Sequence, residues 1–109
     1  MSRSRPEEKG LVREIKEGLR AIYGARLSGV YLYGSRARGE QHAESDLDVL
    51  VVLEDFERYG AEVDRTSDLS ASLSLAHDIS ISKVFLRRQE WLTGESPFLD
   101  NVRREAIPV

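Results

Sequence analysis

Cysteine is absent from this chain. Its absence excludes disulfides, thiolate zinc sites and cysteine nucleophiles together, and suits a reducing compartment; a cytoplasmic protein is expected. Long apolar runs are missing too. The longest, Val49 to Leu53, is far short of the roughly 20 residues that a membrane-spanning helix needs. The first ten residues are charged and lack the apolar segment of a secretory signal. Nor is there a surplus of positive charge: 16 Lys and Arg against 19 Asp and Glu give a net charge of −3. No overall field would hold a polynucleotide by counterion release, so nucleic acid is not expected as a direct substrate.

What remains is an ordinary globular composition, 40% hydrophobic and 32% charged over 109 residues. Residues 1–109 fit one small domain, with no room for a second domain to hold an acceptor. Ser4 and Glu7 have the spacing of a capping box, with Pro6 tolerated in the first turn. Leu11, Ile15, Leu19 and Ile22 then recur at helical spacing, with Val12 widening the stripe, until Gly24 offers a stop. Val30 to Tyr33 reads as a short strand between glycines, Ser35 to Arg38 as a single helical turn, and Glu40 to Ser45 as a polar loop. Leu47 to Leu53 predicts a strand covered on both faces. A long helix follows through Phe56, Tyr59, Val63, Leu69, Leu73 and Ala76. A third strand is expected to open at Asp78 and run to Leu86, and the tail to form two short helical pieces. The order α-β-α-β-α-β predicts an α/β (α+β) fold, a small mixed sheet flanked by helices. The short connection from Tyr33 to Leu47 suits an antiparallel pair.

The informative segment is Gly34-Ser35-Arg36-Ala37-Arg38-Gly39, followed by Ser45-Asp46-Leu47-Asp48. On a strand, Asp46 and Asp48 share a face about 6.6 Å apart. Two unit charges at that distance repel by about 2.5 kcal/mol at an effective dielectric of 20. A divalent cation removes the penalty, and Mg²⁺ in particular is held by a few carboxylates plus substrate phosphates. A neighbouring strand that opened with Asp78 would bring a third carboxylate, enough for two metal ions. Gly34 allows close backbone approach, and the N–H groups of a strand-to-helix turn at Ser35 suit phosphate oxygens. Each part alone is commonplace: an Asp-x-Asp pair usually just begins a strand, and a Gly-Ser usually just makes a turn. Their combination at fixed residue types arises by chance in roughly one chain per thousand at average usage.

These residues resemble the minimal nucleotidyltransferases of the DNA polymerase beta superfamily, which carry Gly-Ser-x-Ala-Arg-Gly and then Ser-Asp-x-Asp. The likeness extends into the tail from Ser96 to Arg104. It implies a nucleotidyltransferase fold in which Asp46, Asp48 and Asp78 bind two Mg²⁺ ions, or Mn²⁺, with Asp78 as base for the acceptor. Gly34 and Ser35 would hold the triphosphate, and Arg36 and Arg38 would steady phosphates. ATP is the expected donor among nucleoside triphosphates. Small relatives act as antitoxins that adenylylate a tyrosine of a helical HEPN-type toxin, so a hetero-oligomer, or a homo-oligomer, is expected. The other readings are a catalytically silent antitoxin that neutralises a partner by binding, and a small-molecule (antibiotic) nucleotidyltransferase. His42 and His77 are expected to be solvated or structural, and Tyr31 and Tyr33 to be sheet residues with satisfied hydroxyls. Trp91 is expected to pack the tail onto the core, and Arg103-Arg104 to form a solvated face.

Overall fold

The computed structural model describes residues 6–34 and 46–109. Ser4 of the expected capping box lies outside them, as do the Ser35–Arg38 turn, the Glu40–Ser45 loop and His42. The elements run α1 (Pro6–Tyr23), a short 3₁₀ turn (Gly24–Arg26), β1 (Leu27–Tyr33), β2 (Leu47–Leu53), α2 (Tyr59–His77), β3 (Ile81–Arg87), α3 (Arg88–Thr93), α4 (Pro97–Glu105) and β4 (Ile107–Pro108). The strands form one sheet in the order β3-β2-β1-β4. β2 pairs antiparallel with β1 and parallel with β3, and β4 adds an antiparallel edge to β1. The sheet is therefore mixed.

β2 is the centre. All its residues except Asp48 are buried, as a strand covered on both faces must be. Alternation along the strand sorts its side chains into two cores. Leu47, Val49, Val51 and Leu53 meet Leu11, Ile15, Leu19 and Tyr23 of α1, Leu73 of α2, and Phe85 of β3. Leu50 and Val52 face the other way, onto Val102 of α4 and partly buried Tyr31, Tyr33, Val84, Leu86 and Trp91. Each fully buried Leu or Val contributes about 1.5–3 kcal/mol of transfer free energy. The helices on both sides therefore fix β2 in register.

Both long helices depart from the periodicity reading in one respect. In α1 the stripe steps by four from Leu19 to Tyr23, which is buried, and leaves Ile22 at the exposed edge. α2 begins at Tyr59 rather than near Phe56, so Tyr59 and Val63 are exposed and Leu75 is 85% exposed. The buried positions of α2 are Glu62, Thr66 and Leu73. Glu62, 3% exposed, accepts a hydrogen bond from the Tyr23 hydroxyl at 2.8 Å and from Arg65 Nε at 3.0 Å. A paired carboxylate is thus the contact by which the N-terminal half of α2 meets α1.

Candidate active site

The site is assembled where β1 ends and β2 begins. Tyr33 stands opposite Asp48, and Leu32 opposite Val49. Leu47 is fully buried under α1 and α2, and its N–H donates to the Ser80 carbonyl at 2.8 Å. With Leu47 anchored inward, alternation turns Asp46 and Asp48 to the opposite face, the one covered further along by α4. Asp46 is exposed at the rim and Asp48 is half-buried.

Gly34 closes the other side. Its φ is +79°, in the left-handed region, and a Cβ added there would collide with Asp48 Oδ2. Only glycine suits both constraints. The Gly34 N–H donates to Glu105 Oε2, from the last turn of α4, at 3.4 Å. Tyr33 packs edge-on against Phe98, ring centroids 6.1 Å apart. Burial, together with the neighbouring Asp48 charge, pushes the Tyr33 phenol up to about 12, so it stays a neutral hydroxyl at physiological pH. In the parallel ladder Asp48 pairs with Ser82, and paired residues of a ladder project to the same face, so a half-buried hydroxyl flanks the carboxylate.

Asp78 does not join this arrangement. It is the C-cap of α2, in the left-handed conformation at φ 52°, ψ 52°, with its N–H donating to the Ser74 carbonyl. The Ile79 N–H goes to the same carbonyl at 3.1 Å. Aspartate tolerates this conformation because its short polar side chain can bond locally. β3 consequently opens at Ile81, not at Asp78, and Asp78 is exposed ahead of the strand. The expectation of a third strand carboxylate at Asp78 is corrected: the position beside Asp48 belongs to Ser82. Among the described residues no group of three or more His, Asp and Glu is placed to hold a metal ion.

The carboxylate pair still fits a divalent cation. One carboxylate is exposed and one half-buried on a shared face, with a glycine backbone pressed against the inner one. Mg²⁺ takes one or two carboxylates and completes its shell with water and phosphate. Ser35, Arg36 and Arg38 lie outside the described residues.

Other expectations concern the scaffold. Trp91 packs on Tyr31 with ring centroids 4.9 Å apart, fastening the tail to the sheet as expected. His77 Nε2 lies 2.6 Å from Glu14 Oε2, linking α2 to α1 in a structural role. Arg103 is not a solvated face. Its guanidinium donates to the carbonyls of Trp91 at 2.9 Å, Glu90 at 3.1 Å and Gly94 at 2.8 Å, gathering carbonyls around the C-terminal end of α3.

A mixed sheet with paired aspartates opening its central strand, beside a glycine turn, defines a class of phosphoryl-transfer domain. Residues 12–98 match the Nucleotidyltransferase domain family, and the chain belongs to that family. It is similar to two proteins of Methanocaldococcus jannaschii. One, named "Putative protein adenylyltransferase MJ0141", is 29% identical over 91% of this chain and 95% of its own length. The other, "Putative protein adenylyltransferase MJ0604", is 32% identical over 72% of this chain and 71% of its own length. In fold and sequence it is also similar to a chain of a toxin–antitoxin crystal structure solved with AMP-PNP. The TM-score is 0.63 at 26% identity, covering 88% of this chain and 69% of that one. The chain is thus a nucleotidyltransferase, and no helix among the described residues is long and apolar enough to cross a membrane.

Proposed function

We propose that this nucleotidyltransferase moves a nucleoside monophosphate, AMP from ATP, onto a hydroxyl of a partner protein, a tyrosine of a helical HEPN-type toxin, and acts as its antitoxin. The observation that carries the reading is Gly34 pressed against Asp48, which supports a joint role for Gly34-Ser35 and the Asp46/Asp48 pair. Asp46 and Asp48 are the residues that would hold Mg²⁺. When bound, the ion neutralises charge developing on the transferring phosphate.

The chain's own residues do the rest. Ser35 would present its backbone N–H and hydroxyl to the triphosphate, Gly34 lets the backbone come close to it, and Arg36 and Arg38 would counter its charge. The acceptor hydroxyl oxygen bonds to the α-phosphorus, the bond from the α-phosphorus to the β-phosphate oxygen breaks, pyrophosphate leaves and the hydroxyl proton is released to solvent. Holding donor and acceptor together lowers the entropic part of the barrier. Tyr33, neutral and packed on Phe98, walls the inner side against water. The relatives named as protein adenylyltransferases and the toxin–antitoxin chain solved with AMP-PNP support this donor and this kind of acceptor.

Incubating the protein with its cognate partner, Mg²⁺ and α-labelled ATP tests the reading. Label is expected on a tyrosine of the partner, and none with Asp46→Asn/Asp48→Asn. A partner neutralised equally by both proteins without label would identify a binding antitoxin instead, and label on an aminoglycoside-type small molecule would reassign the acceptor.

A further inference from the structure

The last carboxylate of α4 stands where the helix itself does not favour one. Glu105 ends α4, and the C-terminal turn of a helix carries partial negative charge, which disfavours an acidic side chain there. Arg103 and Arg104, in the same turn, are the residues that turn prefers. One contact Glu105 makes, to the Gly34 N–H, lies outside its own helix.

That contact continues a strand ladder that has run out. β4 pairs Ile107 with Leu32 and Pro108 with Tyr31, and because the pairing is antiparallel, residues preceding Ile107 move toward the end of β1. The chain turns into α4 at once: Ala106 is already the helix cap, its N–H bonded to the Val102 carbonyl. Among the described residues no strand backbone is left to pair beside Gly34. The Glu105 side chain takes that place and accepts the Gly34 N–H.

Gly34 is therefore held from two sides, with Asp48 Oδ2 against its Cα and Glu105 on its N–H. The two constraints fix a backbone in the left-handed region at the point where it leaves the sheet, beside the aspartate pair. We propose that Glu105 is a positioning residue of the nucleotide site, setting Gly34 at its distance from Asp48. The proposal rests on the reading of Gly34-Ser35 as the triphosphate holder.

The test is titration of ATP with Mg²⁺ into the wild-type chain, Glu105→Ala and Glu105→Gln, with the Gly34 amide followed by ¹H–¹⁵N NMR. Glu105→Ala is expected to weaken ATP about fivefold, the scale of one lost hydrogen bond, and to shift the Gly34 amide proton. Glu105→Gln keeps an acceptor oxygen and is expected within about twofold of wild type. Glu105→Met, which keeps the stem and removes the acceptor, replaces the alanine variant if that one loses its fold. Wild-type affinity in the alanine or methionine variant, or a glutamine variant as weak as alanine, overturns the proposal while leaving the nucleotide site standing. Absence of ATP binding by the wild-type chain overturns both.

Discussion

The two faces of the sheet do different work. Under α1 and α2 the face is nearly all aliphatic, from Leu47 through Leu53 to Phe85, and it holds the fold. The opposite face begins in the same style with Leu50 and Val52 but changes character toward the start of β2, where Asp48, Ser82, Tyr33 and Glu105 gather. One strand serves both. Leu47 anchors the backbone on the dry face while its neighbours Asp46 and Asp48 are turned outward, so the precision of the site is inherited from the core. Polar groups are tolerated differently as well. On the helix side, Glu62 is buried with both partners in place, whereas Asp46 at the site is exposed.

If this division is right, substitutions on one face should spare the property carried by the other. Asp48→Asn is expected to lower transfer about a thousandfold or more, on the scale of losing one dominant electrostatic contact, while the melting temperature does not fall. A stopped assay with thermal unfolding on the same sample checks both. Leu19→Ala, in the dry core, should do the reverse. It is expected to cost about 2–5 kcal/mol in urea unfolding, with ATP affinity of the folded protein unchanged. Gly34→Ala joins the two, because it strains a left-handed backbone and strikes Asp48. A stability loss of about 1–2 kcal/mol should accompany at least a tenfold loss of ATP affinity, read by titration.

The smallest effect concerns Glu62. Burial pushes its carboxyl up, but hydrogen bonds from Tyr23 and Arg65 and the Arg65 charge outweigh burial and hold it below the usual range. A depressed folded value means its stabilisation is complete above the unfolded value of about 4.3. That stabilisation is lost as pH falls through the lower folded one. Tyr23→Phe removes one of those donors and is expected to cost about 1 kcal/mol at pH 7 and to narrow the stability difference between pH 7 and pH 3. Equal acid sensitivity in urea titrations of both proteins would remove Glu62 from the account.

Much of this was legible in the sequence, for identifiable reasons. β2 announces itself because a strand buried on both faces must be continuously apolar, and α1 because its stripe repeats every four residues. Gly34, Asp46 and Asp48 stand out because their chemistry constrains residue type. Asp78 misled because an aspartate before an alternating run reads equally as a strand opening or a left-handed cap, and spacing does not separate the two. Glu62 and Arg103 look like surface charges, since nothing local reveals that Tyr23, 39 residues away, or the carbonyls ending α3 will meet them. Glu105 reaches Gly34 across 71 residues, and β4, two residues long and including a proline, carries no strand pattern at all.

The central claim is that Asp46 and Asp48, held beside Gly34, form the metal-dependent donor site of this nucleotidyltransferase. Isothermal titration of ATP into the wild-type chain and Asp46→Asn/Asp48→Asn, each with and without Mg²⁺, tests it most directly. The account predicts binding that requires Mg²⁺ and disappears in the double variant, with the fold intact by circular dichroism. Binding that is equally strong without Mg²⁺, or that survives in the double variant, would contradict it.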